Sequence, residues 1–513
     1  MGLSIGLHHS SLSRDILNPE GEVLGKACLN CRRRKTKCDA AKPICGPCSR
    51  FPASLGDCEY PTVDGRPRAK LYEDQISQYE ARIAELEEQN RVSPPRASAA
   101  EISRRSSPKL ASGVLNELVD RFLEDANCFG FFLDIPNFRA SAIARDLPPA
   151  LSDVVNLWGI HLSQDPHITA HEPAFLEAAQ RSATTQDPPV PDSLQLLHRI
   201  QASVLLAYYF LHNARFMEGG YHRSVAVALA VGGGLHSISA QRPRPGYLYS
   251  APPERANEES QRIAAFWSVM NLDNCWSSAG GGAHLSSWPS GLRIYTPWPW
   301  SSESHAEPHM QLDTPERFLA GLPDGATSCA ALHAKAGVLF ARTGRLVTQY
   351  SACPDLRIEA ELTALDACVD AFKAALPPVQ SKAMMLVHTL AYACTIQLHT
   401  TSNLELRSLW GGQNKALAAA RSVVTILANV DIPRIGQIDP VFAILWSSTC
   451  LVFLRELARA NVHDSAHRTS CIADALKVVI ATMQMFAPGS RLMSTRLKDV
   501  RRIYDETMTS AGI

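Results

Sequence analysis

Six cysteines between positions 28 and 58 constrain this chain more than any other feature. They form two halves, Cys28-x2-Cys31-x6-Cys38 and Cys45-x2-Cys48-x9-Cys58, with six residues between them. A cysteine pair two residues apart starts a helical turn with both sulfurs aimed at one ion, and a third cysteine downstream closes the shell. Six thiolates are two fewer than two separate tetrahedral zinc sites need. The shortage disappears if one cysteine from each half bridges both metals, and the first of each half, Cys28 and Cys45, are the natural bridges. Metal-bound thiols are deprotonated, so six thiolates and two Zn2+ ions leave a local charge of about −2. The reading is two zinc ions per chain, held by Cys28, Cys31, Cys38, Cys45, Cys48 and Cys58.

Charge is distributed unevenly. The 513 residues hold 50 Lys and Arg against 50 Asp and Glu, so net charge alone says nothing about partners. Residues 26–70, however, carry eleven basic and four acidic side chains, an excess of seven, and the remainder of the chain is mildly acidic. Arg32, Arg33, Arg34, Lys35 and Lys37 lie between the second and third cysteines. A short helix over 29–37, anchored to the metals at its start, presents these cations outward. Lys and Arg donate to guanine O6 and N7 in the major groove, and to phosphates, which adds affinity without sequence information.

The pattern resembles the fungal binuclear zinc cluster transcription factors. The residues that carry the resemblance are Cys28, Cys31, the basic run, Cys38, Lys42-Pro43, Cys45, Cys48 and Cys58, with a last gap slightly longer than the family's. The resemblance implies an RNA polymerase II type regulator in the nucleus that binds double-stranded DNA at CGG-like triplets as a dimer. Carried over from the motif, Lys35 is the candidate for base reading with Arg34 beside it, while Arg32, Arg33, Lys37 and Lys42 meet phosphates. RRRKTK also has the composition of a nuclear-import signal.

Along the chain, residues 1–25 lack apolar periodicity and read as disordered. The cluster module spans 26–60, and 61–68 is a linker broken by Pro61, Gly65 and Pro67. Residues 69–90 carry a heptad seam of Tyr72, Ile76, Tyr79, Ile83, Leu86 and Asn90, read as a coiled-coil homodimerisation helix. Residues 91–110 are a Ser/Pro-rich linker.

From 111 to 513 the pattern is helical almost throughout, with helices expected at 113–126, 151–163, 193–213, 258–277, 378–401, 415–430, 440–460 and 473–486; in 193–213, Leu194, Leu197, Ile200, Val204, Leu205 and Tyr208 keep three-four spacing, which buries one stripe. The fold class is therefore all-α: a small cluster, a short coiled coil and a large multi-helix domain. The uncharged run 383–404 is interrupted by histidines, threonines and Gln397, so a buried core helix and no membrane partner are expected. The eight cysteines outside the cluster (Cys128, Cys275, Cys329, Cys353, Cys368, Cys394, Cys450, Cys471) read as buried free thiols of a reducing compartment.

The stretches Tyr221–Val227, Gly234–His236, Ala265–Trp267, Leu272-Asp273 and Trp276-Ser277 resemble the fungal-specific regulatory domain, or middle homology region. Ala228, Gly232-Gly233 and Asn274 depart from it, two of these departures removing cations and with them partners for acids such as Asp273. A small-molecule effector fits such a domain. The alternative class is a zinc module appended to a small-molecule-binding or enzymatic helical domain. No G-x-S-x-G or H-E-x-x-H occurs, and the expectation is that the chain is not an enzyme.

Overall fold

A computed structural model of the protein describes residues 27–39, 41, 44–50, 58, 110–184, 193–238, 256–279, 288, 291–299, 313–400, 415–459 and 466–511. The chain divides into two compact units, one within residues 1–106 and one within 107–513. Among the described residues every regular element is helical: eighteen α-helices and three short 3-10 turns, with no strand. Residues 1–25, the seam of Tyr72, Ile76, Tyr79, Ile83, Leu86 and Asn90, and Lys42-Pro43 lie outside the described residues.

In the first unit, α1 (Leu29–Arg33) and α2 (Gly46–Ser49) each begin on a cysteine. The buried side chains are Cys28, Asn30, Cys31, Cys45 and Cys48, and Ile44 is the one aliphatic residue packed against them among the described residues. A module with so little apolar surface to bury needs another source of folding free energy.

The second unit is built from α3 (Ser112–Asp125), α4 (Ile135–Ala144), α5 (Pro149–His161), α6 (Pro166–Thr169), α7 (Glu172–Thr184), α8 (Ser193–His212), α9 (Phe216–Gly232) and α10 (Ala256–Ala279). It continues with α11 (Thr314–Leu319), α12 (Cys329–Ala352), α13 (Leu356–Ala375), α14 (Lys382–Thr400), α15 (Lys415–Asn429), α16 (Phe442–Arg459), α17 (Ala466–Phe486) and α18 (Arg491–Ala511). Side-chain oxygens start several of these helices by accepting orphan backbone N–H groups. Asp134 takes the Asn137 N–H at 2.9 Å, Asp313 that of Glu316 at 3.0 Å, and Ser328 that of Ala331 at 3.1 Å. Gly234 closes the chain after α9 with a φ of 70°, a left-handed conformation that glycine adopts without steric cost.

Two helices act as hubs. α8 packs against α5, α9, α10 and α18, and fifteen of its twenty residues are buried. That exceeds the single stripe read from sequence, because from Ile200 onwards the helix is enclosed on all sides, whereas Leu194 at its start is exposed. α14 is the second hub, held by α12, α13, α15 and α16. It accounts for the uncharged run as a core helix, with Met385, Val387, Leu390, Ala391 and Cys394 fully enclosed. Among the described residues one segment, Thr469–Phe486 in α17, is long and apolar enough to cross a membrane by length and composition, yet its Ile472, Leu476, Val479 and Met483 are buried in the helical unit.

Some charged groups in this core face an opposite charge. Asp273 on α10 is fully buried and faces Arg223 Nε of α9 at 3.4 Å, so a cation replaces those absent at Ala228 and Asn274. Trp298 packs as core, stacked on Trp267 at 4.4 Å, with the Lys335 ammonium 5.6 Å from its ring. Lys335 itself donates to Asp324 Oδ1 at 2.7 Å and to the Ala326 carbonyl at 2.8 Å. All eight remaining cysteines are free thiols, but only Cys128, Cys275, Cys394 and Cys450 are buried. Cys329, Cys353 and Cys471 are exposed, a correction to their expected burial: each lies on a solvent-facing side or end of its helix.

Candidate metal centre and nucleic-acid face

Both cysteine pairs are built the same way. Cys28 caps α1 and Cys31 falls three residues later; Cys45 caps α2 and Cys48 falls three residues later. That spacing closes one turn and returns both sulfurs to the same side. The Cys31 N–H donates to Cys28 Sγ at 3.3 Å, and the Cys45 N–H to Cys58 Sγ at 3.3 Å. Backbone donors at helix starts favour sulfur as thiolate, the form that binds metal.

The six sulfurs form two groups of four, Cys28, Cys31, Cys38 and Cys45, and Cys28, Cys45, Cys48 and Cys58. The two common to both groups are Cys28 and Cys45, the first cysteine of each half. Separations within the groups are 3.7 Å for Cys28–Cys45, 3.6 Å for Cys31–Cys45 and 3.8 Å for Cys28–Cys48. A zinc ion with sulfur ligands at about 2.3 Å spans a tetrahedral edge of about 3.8 Å. The donor set therefore fits zinc in number, softness and spacing, and the separations are far too long for disulfides.

Crowding also shapes the acid–base chemistry. Burial pushes the Cys28 thiol up, and pushes Cys48 up to about 12. Burial opposes ionisation of Cys45 as well, but hydrogen bonds from the Cys48 backbone and the neighbouring thiols bring it down to about 6. Six sulfurs this close ionise together only with cations between them, which two Zn2+ supply.

Three residues of the centre were not singled out from sequence. Asp39, just after the third cysteine, accepts the Gly46 N–H through Oδ1 at 3.1 Å and Oδ2 at 2.9 Å, and the Ala41 N–H at 3.3 Å. Its carboxylate thus clamps the start of α2 to the end of the first half. Gly46 permits this approach, since a Cβ there would sit 2.5 Å from Asp39 Oδ2. Asn30 is the third, buried between the halves and donating to Cys48 Sγ at 3.4 Å. An acid directly after Cys38 was the legible signal for the clamp.

The basic run leaves the cluster as a solvent-facing ridge. Arg32, Arg33, Arg34, Lys35 and Lys37 are all exposed. The helix is shorter than the expected 29–37, ending at Arg33. Lys35 turns left-handed with a φ of 53°, while the Lys35 N–H reaches the Arg32 carbonyl at 3.2 Å and the Thr36 N–H reaches that of Cys31 at 3.0 Å. This is a Schellman termination with lysine where glycine is usual. The reason is geometric: the chain must reverse within four residues to bring Cys38 back to its sulfur group.

The helical unit also brings acid–base groups together. His161 Nδ1 lies 2.7 Å from Glu172 Oε1, Tyr209 OH donates to the same oxygen at 2.6 Å, and His161 Nε2 lies 3.2 Å from His212 Nδ1. Both ring nitrogens of His161 are engaged and Trp158 packs edge-on against it, which describes a packed polar network of the core. Burial drives His212 down to about 3, with repulsion from His161 adding to it.

Comparison with known proteins matches residues 26–67 to the fungal Zn(2)-Cys(6) binuclear cluster domain. The chain is 26% identical over 156 residues to the depudecin biosynthesis cluster-specific transcription activator DEP6 of Fusarium langsethiae, covering 29% of this chain and 24% of that protein. It is 43% identical over 63 residues to the notoamide biosynthesis cluster transcriptional coactivator notQ' of Aspergillus versicolor, covering 12% of each chain. The chain thus spans a quarter or less of the length of these relatives. No solved structure matches it.

Proposed function

We propose that this chain, a DNA-binding transcription factor whose residues 26–67 are a two-zinc Zn(2)-Cys(6) cluster domain, reads CGG-like triplets as a homodimer in the nucleus. The observation that carries the reading is two four-sulfur groups sharing Cys28 and Cys45, with an exposed cationic ridge leaving them directly. When bound, zinc supplies the cross-links that hold the module in one shape. Cys28, Cys31, Cys38, Cys45, Cys48 and Cys58 hold the two ions. Lys35 and Arg34 reach base edges, while Arg32, Arg33, Lys37 and Lys42 neutralise phosphates. The heptad seam from Tyr72 to Asn90 pairs two copies, and pairing sets the half-site spacing.

The helical unit is then the regulatory part, with an effector or partner acting through it. The names of both relatives come from biosynthesis clusters, and genes of that kind are the setting we infer for this chain. The test is selection of binding sites from random duplexes with the full chain. Paired CGG-like triplets should be enriched, Lys35→Ala should flatten base preference, and Lys42→Ala should weaken all sequences alike. Equal effects from both substitutions would overturn the division of roles.

A further inference from the structure

Asn30 is 3% exposed in a module whose neighbouring surface is cationic. It lies between Cys28 and Cys31 in the first half, yet its Nδ2 is 3.4 Å from Cys48 Sγ in the second. Its Oδ1 accepts from Arg33 Nη2 at 3.3 Å. The chemistry fixes the amide's orientation. A metal-bound thiolate only accepts and a guanidinium only donates, so the NH2 must face sulfur and the oxygen must face arginine. An uncharged amide is the side chain that serves both without adding charge to a centre that already carries an excess of thiolate. Outer-shell donors of this kind orient metal ligands and tune the ion they hold.

We infer that Asn30 is a positioning residue that couples the second sulfur group to the DNA-facing ridge, tying Cys48 to α1 and fixing the guanidinium of Arg33. The coupling works in both directions along one side chain. The N–H···S bond withdraws charge from a thiolate of the second half, and the same amide plane sets where Arg33 stands above the phosphates. The DNA part of the inference rests on the function proposed above; the zinc part does not.

The test uses the full chain and three substitutions. Asn30→Asp keeps the acceptor for Arg33 but sets a carboxylate oxygen against the Cys48 sulfur. Asn30→Ala removes both contacts, and Arg33→Ala removes the DNA-facing one. Zinc retention is followed by competition with a chromogenic chelator, and cobalt-substituted protein is followed by its sulfur-to-cobalt charge-transfer band. Asn30→Asp and Asn30→Ala should each weaken metal retention by roughly 10–100-fold. In Asn30→Ala the band should move to lower energy, because losing the N–H donor raises the sulfur lone pair; a general loss of folding would lower its amplitude without moving it. Arg33→Ala should hold zinc as the unmodified chain does, while its duplex affinity falls and its salt slope shrinks by about one.

Unchanged zinc retention in Asn30→Asp, or an unmoved band in Asn30→Ala, overturns the inference. If Asn30→Asp does not fold, Asn30→Ala decides through the same two readouts. Should the unmodified chain bind no duplex at all, the proposed function fails, and the zinc and cobalt arms still decide the role of Asn30.

Discussion

Around Cys28 the buried side chains are four sulfurs and one amide; around Trp446 they belong to a continuous apolar core that extends from Leu118 to Val500. Among its described residues the first region has almost no hydrophobic area to remove from water, so their fold depends on ligand bonds to metal. The second buries Trp158, Trp267, Trp446 and many aliphatic residues, each of which stabilises a fold by roughly 1.5–3 kcal/mol. One chain therefore contains two units with independent causes of order. A perturbation that destroys one should leave the other standing.

The largest expected effect follows from removing the metal. Chelation strips the ions directly, and Cys45→Ala takes away a sulfur common to both groups, so either should cost the module both ions and specific duplex binding together. The helical unit should keep its far-ultraviolet dichroism and its thermal transition. Elemental analysis, dichroism and duplex titration on one preparation check all three. Melting of the helical unit on chelation would break the comparison.

The mirror experiment starts from the other side. Arg223→Met takes one guanidinium away from the buried Asp273 carboxylate, and breaking such a pair costs about 3–5 kcal/mol. Chemical denaturation should register that loss in the helical transition. Zinc stoichiometry should stay at two per chain, and loss of zinc in this variant would show that the two units share their stability.

How much of this was legible beforehand differs between the regions in an instructive way. In the helical unit, seven of the eight helices expected from periodicity appear within four residues at each end, because long runs of three-four spacing are strong signals, while the one expected at 473–486 begins earlier, at Ala466. Periodicity misplaced the exposure of Leu194 and of three cysteines, since it reports a stripe and not which neighbours will cover it. The convergence of His161, Glu172, Tyr209 and His212 was invisible for a related reason: these residues come from three helices and meet only through packing. In the cluster module, the spacing of six sulfurs implied the shared pair directly, as ligand arithmetic depends on covalent reach more than on tertiary context. Asn30 escaped because outer-shell partners have no spacing rule of their own, and Asp39 because the acid after Cys38 signals a clamp only once Gly46 is known to face it.

The two units also differ in their dependence on pH. Asp439 sits buried in the helical unit, where burial pushes its carboxyl up to about 7, although Val441 N–H and Tyr208 OH donate to it at 2.8 Å and 3.3 Å. The unfolded chain releases that proton near pH ~3.9. Between these values the folded unit binds a proton that the unfolded chain has lost, so this contribution to stability falls as pH rises from about 4 through about 7. Asp439→Asn should remove the slope, with a gain on the order of 1–3 kcal/mol at pH 8 and almost none at pH 4. His212 and His222, lowered by burial to about 3 and about 4, act in the opposite sense but are common to both proteins and cancel in the difference. The cluster module runs the other way, since protons displace zinc from sulfur as pH falls. An equal gain from Asp439→Asn at both pH values would remove this carboxyl from the account.

The smallest effect concerns one residue that reverses the usual relation between stability and function. Lys35 holds a φ of 53° at the end of α1, where a side chain bearing a Cβ costs roughly 1–2 kcal/mol relative to glycine. Lys35→Gly should therefore stabilise the zinc-loaded module by about 1 kcal/mol, read as a higher chelator concentration at half-loss of metal. Under the proposed function the same substitution should erase base preference, because it removes the ammonium proposed to reach guanine. Lys35→Ala separates the two consequences: it loses the preference equally but keeps the strained backbone, so it gains no resistance to chelation. If glycine at this position conferred no added resistance, the left-handed turn would be set by closure onto Cys38 alone. Lysine would then occupy it without a stability penalty, and Lys35 would stand no differently from Arg145 and Ala214 of the helical unit, which hold φ values of 61° and 58°.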